Sequence, residues 1–132
     1  AYLNGAEGIV TGPGSRVSDC TVSKNGAGGI AAGPGSVVSS NSAYLNTKSG
    51  ILAAEASTIE GNTAYANSLE GIVAGPGTLV RKNTVSGNSA AGLSLAADSP
   101  YMGNVSTNNA GGNVVLGFDL GGNYCGGGGG CL

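Results

Sequence analysis

The chain has 132 residues, a length that suits one domain. Only 9% of them are charged, far below the globular norm of about 25%, and the net charge is −2 with five Lys and Arg in all, which excludes a nucleic-acid binder because that needs a basic stripe. The 27 Gly follow no three-residue period, which excludes collagen, and no apolar run approaches the roughly 20 residues of a membrane span.

Taken in chain order, one unit of 21 residues repeats in register. Residues 1–8 match the last eight positions of a unit. Five full units follow, at 9–29, 30–50, 51–71, 72–92 and 93–113. Residues 114–125 match the first twelve positions, and 126–132 form a Gly-rich tail bounded by Cys. Short repeats with aligned columns predict a solenoid, in which each unit buries its face only by stacking on the next. The expected organisation is one domain over 1–132: a partial coil 1–8, five coils over 9–113, a partial coil 114–125, and the tail. The chain starts in mid-repeat at Ala1, without Met or a signal-peptide pattern, so either a leader or domain has been removed or the chain belongs to a longer one.

Within the unit 30–50, three short β runs are predicted: Ile30-Ala31-Ala32, Ser36-Val37-Val38-Ser39 and Asn41-Ser42-Ala43-Tyr44-Leu45. Gly33-Pro34-Gly35 separates the first two as a turn, as do Gly12-Pro13-Gly14 and Gly75-Pro76-Gly77 in other units. Side chains alternate along a strand, so Ile30, Ala32, Val38 and Ala43 are predicted to point into the coil. Successive coils then stack at about 4.8 Å, as parallel strands do.

Two Asn columns follow the repeat. Asn4, Asn25, Asn46, Asn67, Asn88 and Asn109 form one; Asn41, Asn62, Asn83 and Asn104 form the other, with Cys20 and Cys125 at its two ends. Stacked Asn side chains make amide ladders that satisfy buried polar groups. Asn also tolerates a left-handed backbone, so these residues are expected to sit at the corners.

The pattern Gly71-Ile72, Thr78, Val80, Asn83-Thr84-Val85, Asn88 and Gly92 resembles the right-handed parallel β-helix repeat family, essentially over the whole chain. The resemblance implies an all-β parallel β-helix of about six coils with three short strands each, and export from the cell. Asn123-Tyr124-Cys125 to Cys131 resembles the Cys-bounded end of secreted bacterial members. The family holds polysaccharide lyases, hydrolases and epimerases together with adhesins and non-catalytic surface proteins, so the resemblance only weakly implies carbohydrate chemistry. Its lyases and hydrolases use clustered Asp, Lys and Arg on one outward sheet.

Little in the chain matches that chemistry. There is no His, which removes the commonest general base and metal ligand. Of seven carboxylates one pair aligns: Asp98 and Asp119, 21 apart, are expected in adjacent coils, where they could share a proton or bind Ca2+. Tyr44 and Tyr65 share a column with Tyr2 at outward parity, where exposed rings can stack on sugars. Thr21, Ser42, Thr63 and Thr84 form an outward hydroxyl column. No pattern specifies a cofactor.

Cys125 and Cys131 bracket five Gly, a spacing that suits a local disulfide and an oxidising compartment. The alternative is an interchain bridge. Cys20 and Cys125 stand on the order of 24 Å apart within one chain at the coil spacing, but about 4.8 Å apart if the partial coils of two chains complete one another. The reading that follows is a secreted, extracellular or cell-surface structural protein, non-catalytic, stacking head to tail into a filament. The alternative is a carbohydrate-binding or carbohydrate-active β-helix, a piece of a larger enzyme, with Tyr44, Tyr65, Asp98 and Asp119 as its contacts.

Overall fold

A computed structural model describes residues 1–127 and 130–131. The described chain is all-β: eighteen short strands wind as a right-handed parallel β-helix and line up in three six-stranded parallel sheets. Each coil contributes one strand to each sheet. In the coil that begins at Ile30 these are Ile30–Ala32 in the first sheet, Val37–Ser39 in the second and Ser42–Tyr44 in the third. Partners across neighbouring coils are 21 residues apart, as in Ile30 with Ile51 and Val38 with Ile59. The sheets hold because each of the five full coils offers three strands of three residues at the same spacing.

The core follows from strand parity. The first sheet turns the two outer residues of each strand inward, and the second and third sheets turn in only the middle residue. Ile30, Ala32, Val38 and Ala43 are therefore all buried, at 3% exposure or less. Stacked on their equivalents, they form one continuous hydrophobic core from Val17 to Val114, aliphatic except for Tyr101. Three residues per strand suffice, since each strand is buried on one face and closed by a corner.

Every corner carries a side-chain ladder. In both Asn columns, past the first member, each side-chain oxygen accepts the backbone N–H and the side-chain amide of the Asn one coil before, as Asn67 Oδ1 does from Asn46 at 3.1 and 3.0 Å; Asn41, at the head of its column, accepts from the Cys20 N–H. The Asn67 amide in turn donates to Asn88 Oδ1 and to the Ala43 carbonyl. All four side-chain valences are thus used, which is what a buried amide requires. At the third corner Ser15, Ser36, Ser57, Thr78 and Ser99 form a hydroxyl ladder, in which the hydroxyls of Ser36, Ser57, Thr78 and Ser99 each accept from the backbone N–H of the member one coil before, at 3.1–3.3 Å. Nothing in the Asn columns prepared for this one.

The left-handed bend is not where the Asn columns placed it. It falls on the residue just before each ladder member: Leu45 before Asn46, Ala66 before Asn67, Ser40 before Asn41, Lys82 before Asn83. The ladder Asn must hold its backbone N–H and side chain along the axis together, and its neighbour absorbs the turn. Gly50 has a different task. A Cβ there would lie 2.6 Å from Asn67 Nδ2 and 2.8 Å from the Gly71 carbonyl, so the chain leaves the ladder only through a residue without a side chain.

The last coil departs from the 21-residue spacing. Leu93 still pairs with Val114, but Pro100 pairs with Phe118 and Val105 with Tyr124. The segment 114–123 is two residues shorter than its equivalent 93–104, and the core beneath shows how the shorter path fits. Tyr101 is the largest fully buried side chain, and Gly117 passes over it and Leu95 so closely that a Cβ would stand 3.0 and 2.7 Å from their atoms. The coil cuts this corner, dropping the turn that earlier coils make there.

Three expectations change as a result. Asn123, not Cys125, continues the ladder, its oxygen accepting from the Asn104 backbone and side chain at 2.9 and 3.1 Å. Cys125 instead pairs with Ser106, in the inward column of the third sheet, and so does not share a column with Cys20. Asp119 stands in register with Tyr101 rather than beside Asp98.

Cys125 is bonded to Cys131, with Cα atoms 5.4 Å apart, and Cys20 is a free, half-buried thiol. That bridge leaves no thiol at 125 for a second chain. Filament assembly needed residues 114–125 to supply the first twelve positions of a standard unit; the shortened last coil does not supply them.

Candidate functional site

Beside the last-coil strand Tyr124–Gly126, the outward face of the third sheet is built by five strands: Thr21–Ser23, Ser42–Tyr44, Thr63–Tyr65, Thr84–Ser86 and Val105–Thr107. The middle residue of each is buried, so the flanking residues rise from the surface in two ranks. One rank reads Thr21, Ser42, Thr63, Thr84, Val105, and the other Ser23, Tyr44, Tyr65, Ser86, Thr107. Neither rank contains a charge.

The register brings Tyr44 and Tyr65 together. Their rings stack with centroids 4.8 Å apart and planes 8° from parallel, so the ring spacing equals the coil spacing. Tyr65 is the more open of the two, at 38% exposure. Tyr2 bridges to Ser23 at the head of the same rank, and Lys24 Nζ lies over its ring, 5.4 Å from the centroid. Ser23, between Tyr2 and Tyr44, is buried, whereas Ser86 beyond Tyr65 is half-buried.

Along the other edge of this sheet, where it turns into the second, runs an open groove of about 410 Å³. Asp19, Cys20, Thr21, Ser42 and Thr63 line it, and Gly61 widens it by lacking a side chain. Hydroxyls and one carboxylate thus border the tyrosine rank along this edge, while the half-buried Cys20 thiol packs against the core and donates to the Ser18 carbonyl.

The charges sit elsewhere. On the second sheet Arg81 Nη2 donates to Glu60 Oε2 at 2.9 Å, and Lys82 Nζ stands 3.7 Å from Glu60 Oε1. Asp98 is exposed on the turn before the strand Pro100–Met102. Asp119 is exposed too and spends one oxygen on the Gly121 N–H and the Asn123 amide, at 2.6 and 2.7 Å. The two carboxylates that the 21-residue spacing aligned are therefore not stacked. Among the described residues no three His, Cys, Asp or Glu cluster as a metal site would need, and no helix is long and apolar enough to cross a membrane.

Among solved structures the chain is similar to the periplasmic alginate epimerase AlgG, with a TM-score of 0.73 and 17% identity over 96% of this chain and 37% of that one. It is also similar to the A-modules of the Azotobacter vinelandii mannuronan C-5 epimerases AlgE4 and AlgE6. Those matches have TM-scores of 0.57 and 0.55 and 19% identity, and each covers 76% of this chain and 38% of that one. The chain spans under two fifths of the length of each. Identities this low carry the fold alone. No curated protein sequence matches the chain.

These neighbours correct the expectation of a non-catalytic structural protein that stacks into a filament. The three solved chains named above are epimerases by their titles, not structural fibres. Residues 2–116 match the family described as the right handed beta helix region, and with its three parallel sheets and corner ladders the chain belongs to that family.

Proposed function

We propose that this β-helix recognises polysaccharide on the outward face of its third sheet. The observation that carries the reading is the stacked Tyr44–Tyr65 pair standing in a rank of hydroxyl side chains. A sugar ring has an apolar face and a polar edge, and a tyrosine beside Ser and Thr answers both. The groove at the neighbouring corner extends the surface across the sheet and along the axis.

The proposal is one of binding. Turnover would need an acid and a base brought together, and Asp98 and Asp119 stand apart on different elements. The fold neighbours act on alginate or mannuronan by their titles, which supports a polysaccharide as partner. A secreted, extracellular or cell-surface setting belongs to the same proposal, because the Cys125–Cys131 bridge suits an oxidising compartment.

Affinity electrophoresis against a panel of polysaccharides, with and without Ca2+, tests this. Retarded migration by at least one polymer, relieved in a folded Tyr44→Ala/Tyr65→Ala variant, is the expected result. Unchanged migration across the panel would overturn it.

A further inference from the structure

We propose that the free face of Tyr65 is the seat of a single uncharged pyranose unit, held in the notch that Ser86 leaves in the tyrosine rank. This rests on the carbohydrate reading above and names the ligand that its site would take.

The notch is a missing ring. Tyr44 covers one face of Tyr65 at 4.8 Å, and the next position of the rank, one coil on, is Ser86. Beyond it stands Thr107. Two coil repeats, about 9.6 Å at the strand spacing, therefore separate the Tyr65 ring from the Thr107 side chain. A guest ring midway between them would keep the same distance from Tyr65 that Tyr44 keeps. Ser86 makes the floor, and Gly87 leaves the side open, with nothing within 4 Å of where its Cβ would be.

The other end of the stack offers no such seat. Ser23 occupies the equivalent gap between Tyr44 and Tyr2, but it is only 4% exposed, and Lys24 reaches over the Tyr2 ring there. One face of the aromatic pair is covered by the chain itself and the other is open.

Charge chooses the ligand. Around the notch the chain places Thr63, Tyr65, Thr84, Ser86, Val105 and Thr107 on the face and Ala66, Gly87 and Asn108 at the adjoining corner, none of them charged. Lys82 lies four residues back along the coil from Ser86, round the Asn83 corner, and its ammonium stands 3.7 Å from Glu60 Oε1. A carboxylated sugar would give up hydration at this surface without meeting a cation, whereas the hydroxyls of a neutral sugar find Ser86 and Thr107. The fold neighbours named for alginate and mannuronan act on acidic polymers, so this face separates the chain from them.

The test compares Ser86→Tyr, Tyr65→Ala and wild type for binding of a neutral glucan, a neutral mannan and sodium alginate by calorimetry. Ser86→Tyr adds a third ring at the spacing Tyr44 already keeps, so it fills the notch with little disturbance of the sheet, and circular dichroism checks the fold. The expected result is a neutral polymer bound by wild type, weakened about tenfold or more by Ser86→Tyr and by Tyr65→Ala, and alginate bound more weakly than the neutral polymer. A glycan that binds Ser86→Tyr as tightly as wild type overturns the notch alone, and tighter binding of alginate overturns the neutral ligand. Binding of no polymer by wild type overturns the carbohydrate reading and the notch with it.

Discussion

The second and third sheets share a corner, a core and a parallel register, yet their outward faces differ in chemistry. The second sheet carries Glu60, Arg81 and Lys82 as a cluster of paired charges. The third carries hydroxyls and two stacked rings and no charge at all. Backbone and core cannot account for this, because both sheets bury one middle residue per strand and both are bounded by the same Asn ladder. The solenoid determines where side chains stand; the outward residues alone determine what each face can hold. A face can therefore be changed without unfolding its neighbour, whereas a ladder residue cannot be changed without harming both.

The largest effect should come from the ladders. Asn62→Ala strips the acceptor from the buried Asn41 N–H and Asn41 side-chain amide, and the side-chain amide donor from the Asn83 oxygen and the Val38 carbonyl. At about 1–3 kcal/mol for each buried group left unpaired, urea denaturation should show a loss of several kcal/mol, and it should weaken the second and third sheets together. Gly50→Ala follows, since its Cβ would press on Asn67 and the Gly71 carbonyl; a loss of about 1–3 kcal/mol is expected for such overpacking.

Reduction of Cys125–Cys131 opens a link of sequence separation 6, worth about 2 kcal/mol by loop closure. Hydrogen exchange should show that loss concentrated in the last coil. Smaller still is Tyr65→Ala, which removes one stacked ring at the surface. It should cost about 1 kcal/mol of stability or less, while glycan affinity falls far more. Glu60→Gln closes the series: an exposed pair contributes about 0–1 kcal/mol, so melting temperature should barely move and glycan binding should not change. A clear loss of binding in Glu60→Gln would erase the distinction between the two faces.

Much of this was legible in the residues, because a repeat of constant length turns spacing into position. Ile30, Ala32, Val38 and Ala43 are inward, and Tyr44 and Tyr65 meet, for the single reason that 21 residues make one coil. The same rule could have found the hydroxyl ladder, since Ser15, Ser36, Ser57, Thr78 and Ser99 are also 21 apart; their place beside turns disguised them as solvent-facing polar residues. The last coil was not legible. It is two residues shorter between Val114 and Asn123, where Gly117 passes over Tyr101, and a count by exact 21-residue columns does not register the loss. Counting by 21 there set Cys125 in the ladder and Asp119 beside Asp98, and both belong elsewhere. The corner groove was hidden for a related reason: its column reads Asp19, Ser40, Gly61, Lys82 and Gly103, and only the register shows that Gly61 stands beside the groove-lining Asp19 and Ser40.

The contrast between the two faces is tested most directly by following backbone amide chemical shifts while a neutral oligosaccharide is titrated into the protein. The account predicts saturable shifts over Thr63–Tyr65 and Thr84–Ser86, with Thr58–Glu60 and Leu79–Arg81 unmoved. Shifts centred on the charged strands of the second sheet, or no shifts at saturating sugar, would contradict it.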